Sequence, residues 1–354
     1  MRILYLIRDF NFGGAENHVS DLANSMQSAG HEIFILSRGG NQEGRLTGPV
    51  HFSVMKMSGW LMPFQLLILT RFLKRNKIEI IHAHKRYGIL IGCIAGKLCG
   101  IPVVATIHGR PRHDLRSVFA RKLTDRFIFV SKRTMDANID NRYYKGKSVL
   151  IHNGIARFKD VRDRDPEQIL YLSRIDKRHC QMLLMLVNSI IPSLARDYKN
   201  LSFHIVGEGP CFNQLSDEVA VLNANAGRKV CVLHGFVPEV AGIVNKSGLL
   251  LGVGRCAMEG ISCCTPVLPV NSKYMGDFVN TENYISYEEN NFVPVGQKPP
   301  EAVLLESRLR HYLTNQEKFS KNAEELSEII RKRLSIGVVA GKISDVYSEV
   351  RRTK

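Results

Sequence analysis

Short apolar runs alternate with longer amphipathic stretches along most of the chain. Residues 2–7 form the first run and predict a strand. Beyond it Ala15, Val19, Leu22, Ala23 and Met26 recur at the spacing of one buried helix face, and Gly30 fits the cap that ends that helix. The pattern predicts further strands at 32–36, 78–82, 101–107, 127–130 and 149–151, with helices over 90–98 and 118–123. It restarts with strands at 169–172, 201–206, 230–233, 249–253 and 267–270. Helices over 182–195, 211–224 and 239–245, and one opening at Arg255, separate them, and the residues beyond 300 are helical and charged. Short β-branched runs separated by helices imply βαβ units and parallel sheets.

A polar, charge-mixed segment at 156–167 divides the two series. The expected organisation is an amino-terminal domain over 1–155, a linker over 156–167 and a carboxy-terminal domain over 168–335. A terminal helix over 336–354 is placed to pack back on the first domain. Each domain reads as α/β with a doubly wound parallel sheet. Ligands of such sheets bind beyond the carboxyl ends of the strands, so the site is expected in a cleft between the domains.

Composition adds exclusions. With 354 residues, 44% hydrophobic and 23% charged, the chain is neither mainly disordered nor a fibrous repeat. No apolar run approaches the ~18 residues needed to span a bilayer, and the first run is too short for an export signal, which predicts a cytosolic protein. The eight cysteines form no C-x-x-C pair and read as reduced, buried thiols. The net charge of +16 is unevenly spread: residues 51–150 carry 19 basic and 5 acidic side chains, while 156–354 carry 26 and 23. The amino-terminal half therefore expects an anionic partner. No RNA-stacking motif or helix-turn-helix signal accompanies the charge, so nucleic acid is not expected.

Four loops at strand ends carry candidate chemistry. Gly13-Gly14-Ala15-Glu16 lets backbone N–H groups approach a phosphate at a helix start, although a tight turn explains two glycines equally simply. Ser173-Arg174-Ile175-Asp176-Lys177-Arg178 gathers cations at another helix start, where they oppose the macrodipole unless an anion is present. Gly207-Glu208-Gly209-Pro210 suits either a structural turn or a ligand loop. Gly252-Val253-Gly254-Arg255 leads into a helix carrying Glu259, where N–H groups could hold phosphate and the carboxylate could accept from ribose hydroxyls.

In order along the chain, these loops with His82-Ala83-His84, Ile107-His108-Gly109, Val130-Ser131, Asn153-Gly154, Gly235-Phe236-Val237 and Pro266-Val267 resemble the retaining nucleotide-sugar glycosyltransferases of family 4. That resemblance covers nearly the whole chain and implies the GT-B architecture, two Rossmann-like domains facing across a cleft. It implies an amino-terminal domain for the acceptor and a carboxy-terminal domain for a nucleoside diphosphate sugar. By the same resemblance Arg174 and Lys177 hold the diphosphate, with Arg178 beside them, and Glu259 holds the ribose. His108 contacts the transferred sugar, Gly13 and Gly14 lie near it, and Phe236 and Val237 meet the base. Gly207, Gly252, Val253, Gly254 and Arg255 complete the donor site, and no metal or other cofactor is expected. The implied activity is hexosyl transfer to a glycan or lipid-linked acceptor in cell-surface polysaccharide or glycoconjugate synthesis.

The chain departs from the family where Leu251 replaces the first of two glutamates. That substitution keeps a catalytically impaired sugar-nucleotide-binding protein in view, beside an epimerase of the same fold. Asp163-Arg164-Asp165 mimics a metal-binding D-x-D but falls in the linker and reads as solvated charge. His82 and His84 have the spacing of a metal pair without a third ligand nearby, so a structural or cleft role is expected. Residues 58–77 combine Trp60, an apolar face and Arg71, Lys74, Arg75 and Lys77. With Arg110, Arg112, Arg116, Arg121, Lys122 and Arg126 they imply peripheral attachment to an anionic membrane at the inner face of the cell membrane.

Overall fold

The computed structural model describes residues 1–57, 59–111, 114–156 and 164–352. They fall into two compact units, Met1–Ala156 with Arg333–Lys354, and Arg157–Lys332. Residues 157–163 of the expected linker, and Arg112, lie outside the described residues.

The first unit is a seven-stranded parallel sheet of β1 (Arg2–Leu6), β2 (Glu32–Ser37), β3 (His51–Val54), β4 (Ile80–His84), β5 (Val103–Ile107), β6 (Arg126–Phe129) and β7 (Ser148–Leu150), in the order β3-β2-β1-β4-β5-β6-β7. Its helices are α1 (Gly14–Ser28), α2 (Met62–Arg75), α3 (Lys85–Cys99), α4 (Leu115–Leu123) and α5 (Lys132–Asp136). β1 is covered on both faces, which is why Ile3 to Ile7 is an unbroken apolar run. Ile3 and Tyr5 face Val19, Leu22 and Met26 of α1, while Leu4 and Leu6 join Leu69 and Leu73 of α2 and Ile91 of α3. The edge strand β3 gives no alternation signal because its ends are exposed.

The second unit is a five-stranded parallel sheet of β8 (Asp165–Leu172), β9 (Ser202–Val206), β10 (Cys231–Leu233), β11 (Ser247–Leu251) and β12 (Val267–Leu268), ordered β10-β9-β8-β11-β12. Its helices are α6 (Lys177–Met185), α7 (Ile191–Asp197), α8 (Phe212–Ala226), α9 (Ala241–Lys246), α10 (Arg255–Ser262), α11 (Tyr284–Glu289), α12 (Ala302–Thr314) and most of α13 (Gln316–Leu334). A π turn over Leu186–Ile190 joins α6 to α7. Pro192 lacks an N–H for the regular ladder, and a wider turn absorbs that loss.

The chain then returns to the first unit as α14 (Ile336–Arg352), whose Val339, Ile343, Val346 and Tyr347 close the core over β1. Gly154 permits this return: a Cβ there would stand 3.0 Å from the Cα of Ile336. No helix among the described residues is long and apolar enough to cross a membrane.

Candidate functional site

Four strands of the second unit end at loops that are hydrogen-bonded to one another or to a neighbouring strand. The Ser173 N–H donates to the Val206 carbonyl at 3.2 Å, Ile175 to Glu208 at 2.8 Å, Gly207 to Gly235 at 2.8 Å and Gly252 to Leu268 at 3.4 Å. Gly207 is required by this stitching, because a Cβ would stand 1.8 Å from the Ser173 carbonyl oxygen. The edge so formed carries Arg174, Lys177 and Arg178, all exposed and none with an ion-pair partner among the described residues. Asp176 caps α6, accepting from the N–H groups of Arg178 and His179 at 2.9 and 3.2 Å. Slight burial raises its pKa, but these bonds and the His179 ring outweigh that and hold the carboxyl below its ordinary value. Three such cations on the first turns of a helix oppose its dipole, so the edge is built for an anion.

Phe236 and Val237 follow on the loop after β10, Phe236 exposed and Val237 half-buried. On the other side Gly252, Val253 and Gly254 connect β11 to α10. Gly254 sits at φ +62°, a conformation that favours glycine, and its N–H donates to the Phe292 carbonyl at 3.1 Å. Arg255, expected as an additional donor cation, instead donates from Nε to Glu259 at 2.8 Å, with both side chains mostly buried. Glu259 is thus oriented, and partly neutralised, from one turn earlier in its own helix. Leu251 is fully buried inside β11 and belongs to the core with Leu249. In this chain the position matched to the family's first glutamate lies within the sheet, so the leucine carries no argument for lost catalysis.

Arg164 also differs from expectation. It is not solvated: its guanidinium donates to the Cys264 and Cys263 carbonyls at 2.7 and 2.8 Å, tying the end of α10 to the start of β8. Asp163 lies outside the described residues.

In the first unit His108 follows β5 and meets a group of imidazoles. Its Nε2 is 3.1 Å from His84 Nδ1, and its ring centroid is 5.3 Å from that of His18. His82 is fixed between Thr106 Oγ1 at 2.7 Å and the Tyr347 hydroxyl at 2.6 Å. Burial pushes His82, His84 and His108 well below their ordinary pKa, and neighbouring imidazoles add to the effect. The group is neutral at physiological pH. Among the described residues no cluster of three or more histidine, cysteine or acidic side chains is arranged to hold a metal ion.

Gly13 and Gly14 open α1. Glu16 folds back over Gly13 and forms an ion pair with Lys85, which begins α3 at φ +58°. A Cβ at Gly14 would meet nothing within 4 Å. Sequence reasoning missed His18, Lys85 and Tyr347; the Tyr347–His82 bond spans 265 positions, beyond any local pattern.

The basic half sorts into two groups. Arg121 is buried and stacks on the Tyr144 ring at 5.4 Å, and Arg126 pairs with Glu349, so neither belongs to the expected surface cluster. Arg110, Arg116 and Lys122 are exposed. On α2 and the turn before it the apolar face is open: Trp60 is 96% exposed and Phe64 62%, while Leu69 and Leu73 bind the helix to the sheet.

Residues 12–157 match the family model described as Glycosyltransferase Family 4. The chain is 26% identical over 236 residues to a phosphatidylinositol N-acetylglucosaminyltransferase of Arabidopsis thaliana, a match spanning 59% of this chain and 53% of the relative. It thus spans about half of that relative's length. An uncharacterized glycosyltransferase of Methanocaldococcus jannaschii is 23% identical over 339 residues, 87% of this chain and 90% of its own. Among solved structures Anabaena HepE in complex with UDP superimposes with a TM-score of 0.74 at 15% identity, over 99% of this chain and 100% of that one, which shows the shared GT-B fold. With two parallel-sheet units, a matching family model and glycosyltransferase relatives, the chain belongs to glycosyltransferase family 4.

Proposed function

We propose that the chain transfers a sugar, with retention of configuration, from a nucleoside diphosphate sugar to a glycan or lipid-linked acceptor. The observation that carries this reading is the edge of the second unit, where Arg174, Lys177 and Arg178 stand at the start of α6 without ion-pair partners among the described residues. Charge accumulates on the diphosphate as it leaves, so cations and N–H dipoles already aimed there stabilise the transition state more than the ground state. Glu259, held by Arg255, takes the ribose hydroxyls, and the neutral His108 hydrogen-bonds the transferred sugar. Two names support the reading: HepE was solved with UDP, and the plant relative is named for phosphatidylinositol and N-acetylglucosamine. The exposed apolar face at Trp60 and Phe64, beside Arg71, Lys74, Arg75 and Lys77, supports peripheral attachment to an anionic membrane on its cytoplasmic side. The chain would act there in polysaccharide or glycoconjugate synthesis.

The test is calorimetric titration with UDP, GDP and ADP sugars, followed by transfer to glycan and lipid-linked acceptors with the product anomer read by NMR. Binding of one donor and an anomer matching the donor's is expected. Absence of nucleoside diphosphate binding, or an inverted product, overturns the reading.

A further inference from the structure

The first unit holds a pocket of about 580 Å³ at the carboxyl ends of β4 and β5. That size suits one small-molecule head rather than a polymer groove. Arg8, Lys85, Arg86, Arg110 and Arg116 line it, and Asp9 is the one carboxylate among its lining residues. The cations are not equally engaged. Lys85 is paired with Glu16 and Arg86 with Asp114, while Arg8 and Arg38 share Asp9 at 3.9 and 3.4 Å. Arg110 and Arg116 have no carboxylate partner among the described residues. Ile89, Leu90 and Tyr87 give the same pocket an apolar wall, and His108 and Thr106 also line it.

We propose that this pocket binds the phosphate ester of the acceptor, with Arg110 and Arg116 as its principal ligands. The proposal deepens the transfer reading and rests on it, since it takes the first unit as the acceptor side. Concave walls of one sign focus the field, and a guanidinium fork matches two phosphate oxygens. Arg86 and Arg8, already held by carboxylates, supply long-range charge and shape. Beside Arg116 on α4, Leu115 is 89% exposed and Phe119 50%. A phosphate seated on the arginines would therefore lie next to a surface that an acyl or prenyl chain can cover.

The phosphate could belong to a lipid headgroup or to a water-soluble ester, and the experiment separates them. Calorimetry on the full chain uses sn-glycerol 3-phosphate as probe, with glycerol as neutral control. Phosphatidylcholine vesicles with and without phosphatidylglycerol provide the lipid arm. Three proteins are compared: wild type, R110Q/R116Q, and R174A/K177A. Glycerol phosphate should bind wild type and R174A/K177A alike, at least tenfold more weakly to R110Q/R116Q, and glycerol not at all. Anionic vesicles binding more tightly than glycerol phosphate, with the same loss in R110Q/R116Q, assign a lipid; response to glycerol phosphate alone assigns a soluble ester. Unchanged binding in R110Q/R116Q, or no wild-type binding of either phosphate probe, overturns the proposal. UDP, GDP and ADP are titrated in parallel: their binding should fail in R174A/K177A and survive in R110Q/R116Q. Failure of all three with wild type removes the donor reading without altering the phosphate result.

Discussion

Lowering the pH from 7.5 to 5.5 should destabilise the first unit far more than its surface charge would suggest. His82 and His84 are fully buried, and burial, reinforced by neighbouring imidazoles, holds both well below the ordinary value of 6.5. The unfolded chain therefore takes up these protons first, and native stability is complete above about pH 6.5 and lost as the pH falls. Over this interval each histidine that stays neutral in the fold costs about 1.4 kcal/mol, so the pair costs about 2.7 kcal/mol. The half-buried His108 acts in the same direction. Asp176 and Glu306, whose carboxyls are held below their ordinary values, lose their contribution only at more acid pH and do not interfere.

A loss of that size is a large part of the ~5–15 kcal/mol that stabilises a typical domain. At a urea m-value of roughly 2 kcal/mol per molar, the midpoint should fall by more than about 1 M. Amide exchange of peptides from β1, β4 and β5 during urea titration isolates this unit from the other. A His84→Gln variant, with one fewer titrating group, should show about half the pH slope. The reasoning fails if the midpoint is the same at both pH values, or if NMR titration finds His82 and His84 ionising near 6.5.

Other expectations are briefer. Arg174→Ala, an exposed change that leaves no cavity, should keep the fold and cost roughly 2–5 kcal/mol of donor affinity or transition-state stabilisation, measured by kcat/KM. Glu259→Ala should do likewise, with Arg255 losing its carboxylate; full activity in either variant would refute the assigned roles. Tyr347→Phe strips a buried partner from His82 and should cost about 1–3 kcal/mol by urea denaturation. Trp60→Ser with Phe64→Ser should leave stability unchanged and weaken co-sedimentation with anionic vesicles, and equal binding before and after would refute membrane contact through this face.

The fold was legible where burial on both faces forces the composition. Ile3 to Ile7, Val103 to Ile107 and Ile169 to Leu172 announce central parallel strands because no solvent face is left for a polar residue. β3 left no such trace. The expected strand over 78–82 proved to be Ile80–His84, because Ile78 is buried beneath α2 rather than in the ladder. In the site, loops with glycine and cations were readable, since each lies next to a strand end in sequence. The state of their side chains was not. Whether Arg121 meets a membrane or the Tyr144 ring, and whether Leu251 faces a sugar or the core, depends on packing by remote segments.

That packing also separates what the fold needs from what it merely tolerates. Gly207 and Gly209 approach the Ser173 and Ile175 carbonyls so closely that a Cβ would stand 1.8 and 2.2 Å from them, so their presence is explained without a ligand. Gly14 and Gly109 have open space where a side chain could stand, and nothing among the described residues asks for glycine there. The same division runs through the charges. Arg164, Arg121 and Arg255 each satisfy a carbonyl, a ring or a carboxylate within the chain, whereas Arg174, Lys177, Arg110 and Arg116 pair with no carboxylate among the described residues. Crowded like charges repel, so these four work against the stability of the units that carry them. They stand at carboxyl ends of parallel strands, where such sheets bind ligands, and two of them share a pocket with His108. Residues that the fold does not need, held at electrostatic cost in those places, are best accounted for by anions that come and go.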